Sequence, residues 1–356
     1  MARKVTIGPY EEGAEAEIND LFNAVFGEQR DLQEWAWKFT ESPADSRPLI
    51  ALARSGGRLV GHYGAIALRL RYRDREIPIV QFVDNMVHED FQGGRDGVYH
   101  QAFRRAESSW KEAGVALVIG FPDRRSYGVH RGLLGYQDLV PVVNLYRGMS
   151  WRQVARKVVP IPAAAGPAGR VSRGRARHRI ARPRPTMKGI RFSNVERLDE
   201  RADALWERVA ARYDIGVVRD HRYLDWRYGR RPGRRYRMIA AERGKELVGL
   251  IVLAEVTRPD RKMGFILDCL AGETALTEPL VWRALSVFLA RRVDHVLVRT
   301  SAADPARRIY DRMGFRNRPG IWDDRFIGKC YSALLDHVVL HDPSRWLVSF
   351  GDSDSV

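Results

Sequence analysis

The sequence predicts an α/β protein of the mixed-sheet (α+β) kind, built as two tandem lobes of similar design joined by a basic segment. Three observations lead to this. Strand-like and helix-like runs alternate along both flanks of the 356 residues. The flanks repeat each other's landmarks. Between them, from Asp138 to Glu196, lies a stretch without an acidic residue that holds 13 Lys and Arg, leaving only +3 of the net charge of +16 to the rest of the chain.

The elements of the first flank follow from periodicity. Ala14 to Phe26 has apolar residues at helical spacing. Leu49 to Ala53 and Leu59 to Leu70 read as a hairpin turning at Ser55-Gly56-Gly57. Ile77 to Val87 is a strand apolar enough to be buried. Gly97 to Ala113 is an amphipathic helix with Val98, Phe103 and Trp110 on its apolar face. Val115 to Phe121 is a second buried strand. Ser126 to Leu134 is a short helix stopped by Gly135. Helices fall on both faces of one sheet.

The second flank repeats this order. Trp37-Lys38-Phe39 matches Trp226-Arg227-Tyr228, and Leu59-Val60-Gly61 matches Leu247-Val248-Gly249. FVDNMV matches ILDCLA, which sets Asp84 against Asp268. Each copy closes on a helix ending in Gly-aromatic, at Gly135-Tyr136 and Gly314-Phe315. A tandem duplication accounts for this. The expected division is a first lobe over 1–150, a basic linker over 151–189, a second lobe over 190–340 and a tail over 341–356.

Composition narrows the function. Cys269 and Cys330 are the only cysteines, so there is no metal framework and no disulfide scaffold, and a cytoplasmic setting is expected. The N-terminus lacks the apolar core of a signal peptide, and no apolar run is long enough to span a membrane. The basic segment is rich in Pro, Gly and Arg without apolar period, which reads as a tether or as an electrostatic guide for an anionic partner. Arg152 to Arg191 contains no Phe, Trp or Tyr to stack bases, which argues against nucleic acid. An acidic carrier protein suits the segment better.

The stretch VHEDFQGGRDGV, from Val87 to Val98, joins a buried strand to a helix through glycines. Together with GFPDRRSYGVHRGLLGYQ and the element order, it resembles the GCN5-related N-acetyltransferase (GNAT) superfamily, and the repeat and YLDWRY resemble its two-lobed bacterial members. The superfamily's coenzyme A signature, Q/R-x-x-G-x-G/A, is met at Gln92 and Gly97, while its middle glycine is Arg95. The resemblance implies acetyl-CoA or another acyl-CoA as donor and no metal. Its pyrophosphate would lie on the turn formed by Gln92, Gly93, Gly94, Arg95, Asp96, Gly97 and Val98, after the strand end at Met86 and Val87. Backbone amides at a helix N-terminus supply donors and a positive dipole end, and small residues allow close approach. Arg95 either obstructs by bulk or pairs with a phosphate. The second copy has LAGETALTEPLVWR at the same place and lacks the cradle, so it reads as a degenerate lobe.

The resemblance further implies direct attack of an amine on the thioester, a base near the central strand and an acid on the closing helix. Asp84 is the expected base. Its counterpart Asp268 in the degenerate copy supports an architectural role instead. His88 and Glu89 are alternatives. Tyr127 is the expected acid, although it lies eight residues before Gly135, where the family tyrosine lies about four before and this chain has Arg131. His130 is the alternative. Trp35, Trp37, His62 and Tyr63 are expected around the acceptor. The function expected is N-acyl transfer to an unidentified amine. A non-catalytic binding protein of the same fold and a transferase fed by an acyl-carrier protein are the alternatives.

Overall fold

A computed structural model describes residues 4–94, 96–149, 187–320 and 325–354. The basic segment lies almost entirely outside these residues.

The chain forms two compact units, each made of three stretches. Met1–Pro141, Tyr213–Arg235 and Asp323–Trp346 form the first. Val142–Arg212, Tyr236–Trp322 and Leu347–Val356 form the second. The division is therefore not the contiguous one drawn at 150 and 190. A strand completes whichever sheet offers a free edge and a matching apolar face, and sequence neighbourhood does not decide that.

In the first unit, β1 (Thr6–Pro9), β2 (Leu49–Ser55), β3 (Arg58–Tyr72), β4 (Arg75–Val87), β5 (Leu117–Gly120), β15 (Ile327–Cys330) and β6 (Gln137–Asp138) lie in that order, and β9 (Ile215–Val217) pairs with the far end of β3. The hairpin between β2 and β3 turns at Gly56 and Gly57, both at positive φ. Only the β4–β5 pair is parallel among the first five strands, because α3 (Val98–Glu112) is the crossover between them. Strand β15, from late in the chain, inserts between β5 and β6.

Two helices precede β2. In α1 (Glu15–Phe26), Ile18, Leu21 and Phe22 are buried, and Gly27 ends the helix at φ 68°. In α2 (Leu32–Phe39), the Asp31 carboxylate caps the amide of Glu34. A separate core joins α3 to β2–β4 through Tyr63, Phe82, Phe103 and Trp110. The closing helix α4 (Arg124–Gly132) is capped by Asp123, and Leu134 and Tyr136 just beyond it join that core.

Trp37 and Trp226, paired by the repeat, meet in this unit. Their rings stack 4.8 Å apart, and each indole N–H donates to the other's backbone carbonyl at 2.8 and 2.9 Å. Trp226 stands in a π-helical turn, Asp225–Gly229.

The second unit has a mixed sheet in the order β14 (Arg316–Asn317), β7 (Val142–Gly148), β13 (His295–Ser301), β12 (Arg261–Ala271), β11 (Glu246–Arg258), β10 (Arg237–Arg243) and β8 (Ile190–Val195). Parallel pairing of β12 with β13 stops at Ile266 and Val298, although both strands continue. The turn Phe350–Asp352 packs against both strands there. Ser349 donates to Asp268 at 2.6 Å, and Phe350 lies edge-on to Phe265 at 5.3 Å.

Replacing Trp37 or Trp226 by Phe keeps a stacking ring but leaves a buried carbonyl without its donor. Each variant should lose about 1–3 kcal/mol in urea unfolding. Midpoints equal to wild type would show that the reciprocal bonds carry no weight.

Candidate functional site

The first unit's site begins with a bulge. Along β3 and β4, Gly61 faces Val87 and His62 faces Met86, but the next pair is Gly64 with Val83. Tyr63 therefore stands opposite two residues, Asp84 and Asn85. Asp84 adopts φ 53°, a strained value for a residue with a side chain. The strain is offset by ion pairs. One Asp84 oxygen accepts from Arg30, and Lys38 reaches both at 3.0 and 3.2 Å. Arg30 is in turn fixed by Asn19, which accepts its Nε–H at 2.7 Å. His62 Nδ1 meets the Asp84 carbonyl at 2.8 Å.

Beyond the bulge the sheet opens. Pairing of β4 with β5 covers only Ile79–Gln81 against Leu117–Ile119, while β4 continues to Val87. Phe82, one residue past the last pair, turns its ring over Gly120. A Cβ there would sit 2.1 Å from the ring, so only glycine fits. His88 donates its amide to Val60 on β3, so by alternation the Val87 N–H points the other way, into the opening.

The turn after β4 has the features of an anion cradle. Gly93 and Gly94 have φ of 105° and 82°. A Cβ on Gly97 would lie 2.0 Å from the Gly93 carbonyl oxygen, which excludes every other residue. Helix α3 starts at Val98 with no side-chain cap on its first amides and no acidic residue in its first turn. Those amides have no intrahelical acceptor, and the dipole end is positive. A cleft of about 390 Å³ opens here, lined among others by Gln92, Gly93, Gly97, Val98 and Gln101.

The predicted residues divide on inspection. Gln92 turns its amide back to the Val87 carbonyl at 2.9 Å and braces the turn. Val98 packs with Val87, Val60 and Ala53 beneath it. Asp96 is exposed beside His100, and Met86 is buried within the ladder. Arg95 lies outside the described residues. Asp84, expected as a base on the strand, lies at the bulge with both its oxygens engaged, so no free oxygen awaits an amine proton. Glu89 is exposed, and His88 accepts the Asp90 amide at 3.3 Å. The Tyr127 hydroxyl is committed to Asp138 at 3.0 Å. Trp35 packs against Tyr10 and Phe39.

His130 is buried in the opening, stacked on Phe82 at 4.3 Å. Its Nδ1 donates to the Ser126 carbonyl at 2.7 Å, so Nε2 is the acceptor for the Tyr63 hydroxyl at 3.2 Å. Burial lowers the pKa of His130 to about 4. Burial also lowers that of His62 to about 4, against the opposing pull of Asp84.

Sequence reasoning missed Arg30, Lys38, Asn85 and Tyr99. A signal existed for Lys38: each copy carries one cation in its Trp-Lys-Phe or Trp-Arg-Tyr motif and one aspartate in the FVDNMV or ILDCLA run. Asn85 and Tyr99 carried none, since only the bulge and the packing of α3 bring them together.

This splayed mixed sheet, with a glycine cradle opening the crossover helix, defines the acyltransferase-type fold of the GNAT class. Residues 6–136 match the family model described as "Acetyltransferase (GNAT) domain". Solved structures share the fold. A GCN5-related N-acetyltransferase from Anabaena variabilis matches with TM-score 0.64 at 10% identity, covering 92% of this chain and 73% of that one. A protein of unknown function from Enterococcus faecalis, described as a probable N-acyltransferase, matches with TM-score 0.64 at 11% identity, covering 92% and 72%. Saccharomyces cerevisiae N-myristoyltransferase with bound myristoyl-CoA matches with TM-score 0.58 at 11% identity, covering 92% and 82%. No curated protein matches the chain significantly. Among the described residues no helix is long and apolar enough to cross a membrane, and no side-chain cluster has the make-up of a metal site.

Two measurements test this site. Asp84→Asn removes the charge between two buried cations and should cost about 3–5 kcal/mol of stability, read by urea unfolding. A loss below 1 kcal/mol would refute the clamp. The two histidines predict a pH response. Their folded pKa values, about 4, lie below the ordinary histidine value of 6.5, so the unfolded chain binds more protons between those limits. Stability should be full above pH 6.5 and fall on acidification toward pH 4, by up to about 1.4 kcal/mol per pH unit for each histidine. His130→Gln should reduce that slope. A flat profile would contradict neutral burial.

Proposed function

We propose that the protein is an N-acyltransferase that takes an acyl group from acyl-CoA, acetyl-CoA or a longer homologue, and passes it to an amine by direct attack. The observation that carries this reading is the crowding at Gly97. A turn in which a single Cβ would strike backbone, placed ahead of uncapped helix amides, is suited to a pyrophosphate. Coenzyme A would bring the thioester. This chain would supply phosphate-binding amides from Gly93 to Val98 and a free backbone edge on β4 beyond Gln81 for the amides of the pantetheine arm. The Val87 N–H would add a donor inside the opening. The amine would approach from the face of α1 and α2, where His62 and Trp35 lie.

A carrier-protein donor would present the same arm, and the basic segment favours an acidic carrier. The engagement of Asp84 and Tyr127 favours a non-catalytic binder. One experiment addresses binding first. Coenzyme A at 100 times its dissociation constant should stabilise the protein by about 2.7 kcal/mol. Gly97→Ala should abolish that shift in thermal unfolding and calorimetric titration while the unliganded fold persists. Equal affinity in wild type and variant would remove the cradle from the reading. Absence of any binding to wild type would remove the reading itself.

A further inference from the structure

The opening between β4 and β5 holds a polar group that the reading above leaves without a role. Tyr99 is the second residue of α3, directly after the cradle. Its ring stands edge-on to Tyr63 at 5.3 Å and at 89° to His130 at 6.2 Å. Its hydroxyl lies beside the Tyr63 hydroxyl and the Asn85 side chain.

The directions of the hydrogen bonds are fixed by the neighbours. Asn85 Oδ1 accepts the Gly64 amide at 2.9 Å, which turns its NH₂ away from β3. That NH₂ is buried and has no hydrogen-bond partner among the described residues. The Tyr63 proton is drawn to His130 Nε2, because Nδ1 carries the proton given to Ser126. Tyr99 therefore stands beside a donor at Asn85 and an acceptor at the Tyr63 oxygen, and carries a proton of its own. Burial raises its pKa, so the hydroxyl keeps its proton across the working range.

We infer that Tyr99, flanked by Asn85 and packed against the Tyr63–His130 pair, is the proton donor to the departing thiolate. It would take over the task first assigned to Tyr127, whose hydroxyl is tied to Asp138. The inference rests on the acyl-CoA reading above. In the step, the amine nitrogen forms the C–N bond and the C–S bond breaks. The electron pair leaves on sulfur, and the Tyr99 proton goes to sulfur. The Asn85 NH₂ stabilises the phenolate. The proton lost by the acylated nitrogen then returns through solvent to Tyr99, so no proton is gained or lost overall. Asn85, Tyr63 and His130 are positioning residues.

The test measures thiol release from acetyl-CoA with hydroxylamine as the amine, after subtraction of the uncatalysed rate. Tyr99→Phe should lower kcat roughly 10²–10⁴-fold with KM for acetyl-CoA and coenzyme A affinity unchanged. With phenyl thioacetate, whose thiolate leaves without a proton, wild type and variant should turn over at nearly the same rate. Asn85→Asp replaces the donor by an acceptor that captures the Tyr99 proton, and should show the same pattern. A loss equal for both thioesters, or no loss with acetyl-CoA, would overturn the inference while coenzyme A binding left the wider reading standing. Wild type that binds coenzyme A but releases no thiol above background would overturn the inference as well.

Discussion

The buried carboxylate of Asp84 is the constraint on which the first unit's architecture turns. Two cations from the α1–α2 region, Arg30 and Lys38, close on it. A buried ion pair of this kind adds modest net stability, because desolvation consumes most of the attraction. What it fixes is geometry. With Arg30 also held by Asn19 and stacked 3.8 Å over Phe22, the carboxylate can sit in only one place, and its backbone is kept at φ 53°. Tyr63 then faces two residues instead of one, and β4 is bent at the point where it parts from β5.

The bend accounts for the opening and for the residues around it. Past Gln81, β4 pairs with no strand on the β5 side among the described residues, and the space is shaped by rings: Phe82 over Gly120, His130 on Phe82, Tyr63 and Tyr99 against His130. The His130 tautomer and the Tyr63 proton have directions imposed by Ser126 and by each other. At the end of β4 the glycines let the chain double back, so the first amides of α3 are presented without a cap. Clamp, bend, opening and cradle thus form one sequence of causes along thirteen residues of strand and the turn that follows.

The second unit shows what the same sheet does without these features. Its helix α5 (Thr277–Ala290) has Glu278 in its first turn, which opposes an anion. Asp268, the counterpart of Asp84, receives the hydroxyl of Ser349, and the turn Phe350–Asp352 fills the place where β12 and β13 part. Phe350 is fully buried under the guanidinium of Arg299 at 4.4 Å. The splayed site has become part of a core.

The sequence by itself determined the local elements, the internal repeat and the position of the cradle. Those depend on period, on Gly and Pro placement and on short-range caps, all of which act within a few residues. It singled out Asp84 and, through the degenerate copy, gave reason to read it as architectural. Tertiary structure alone decided the rest. It exchanged β7 and β15 between the units, because edge pairing follows faces and free edges rather than chain order. It committed Tyr127 to Asp138 and Asp84 to Arg30 and Lys38, because these partners come from other elements of the chain. It also brought Asn85, Tyr63, Tyr99 and His130 into one opening, because the bulge that turns Asn85 inward exists only where two strands of unequal count are paired.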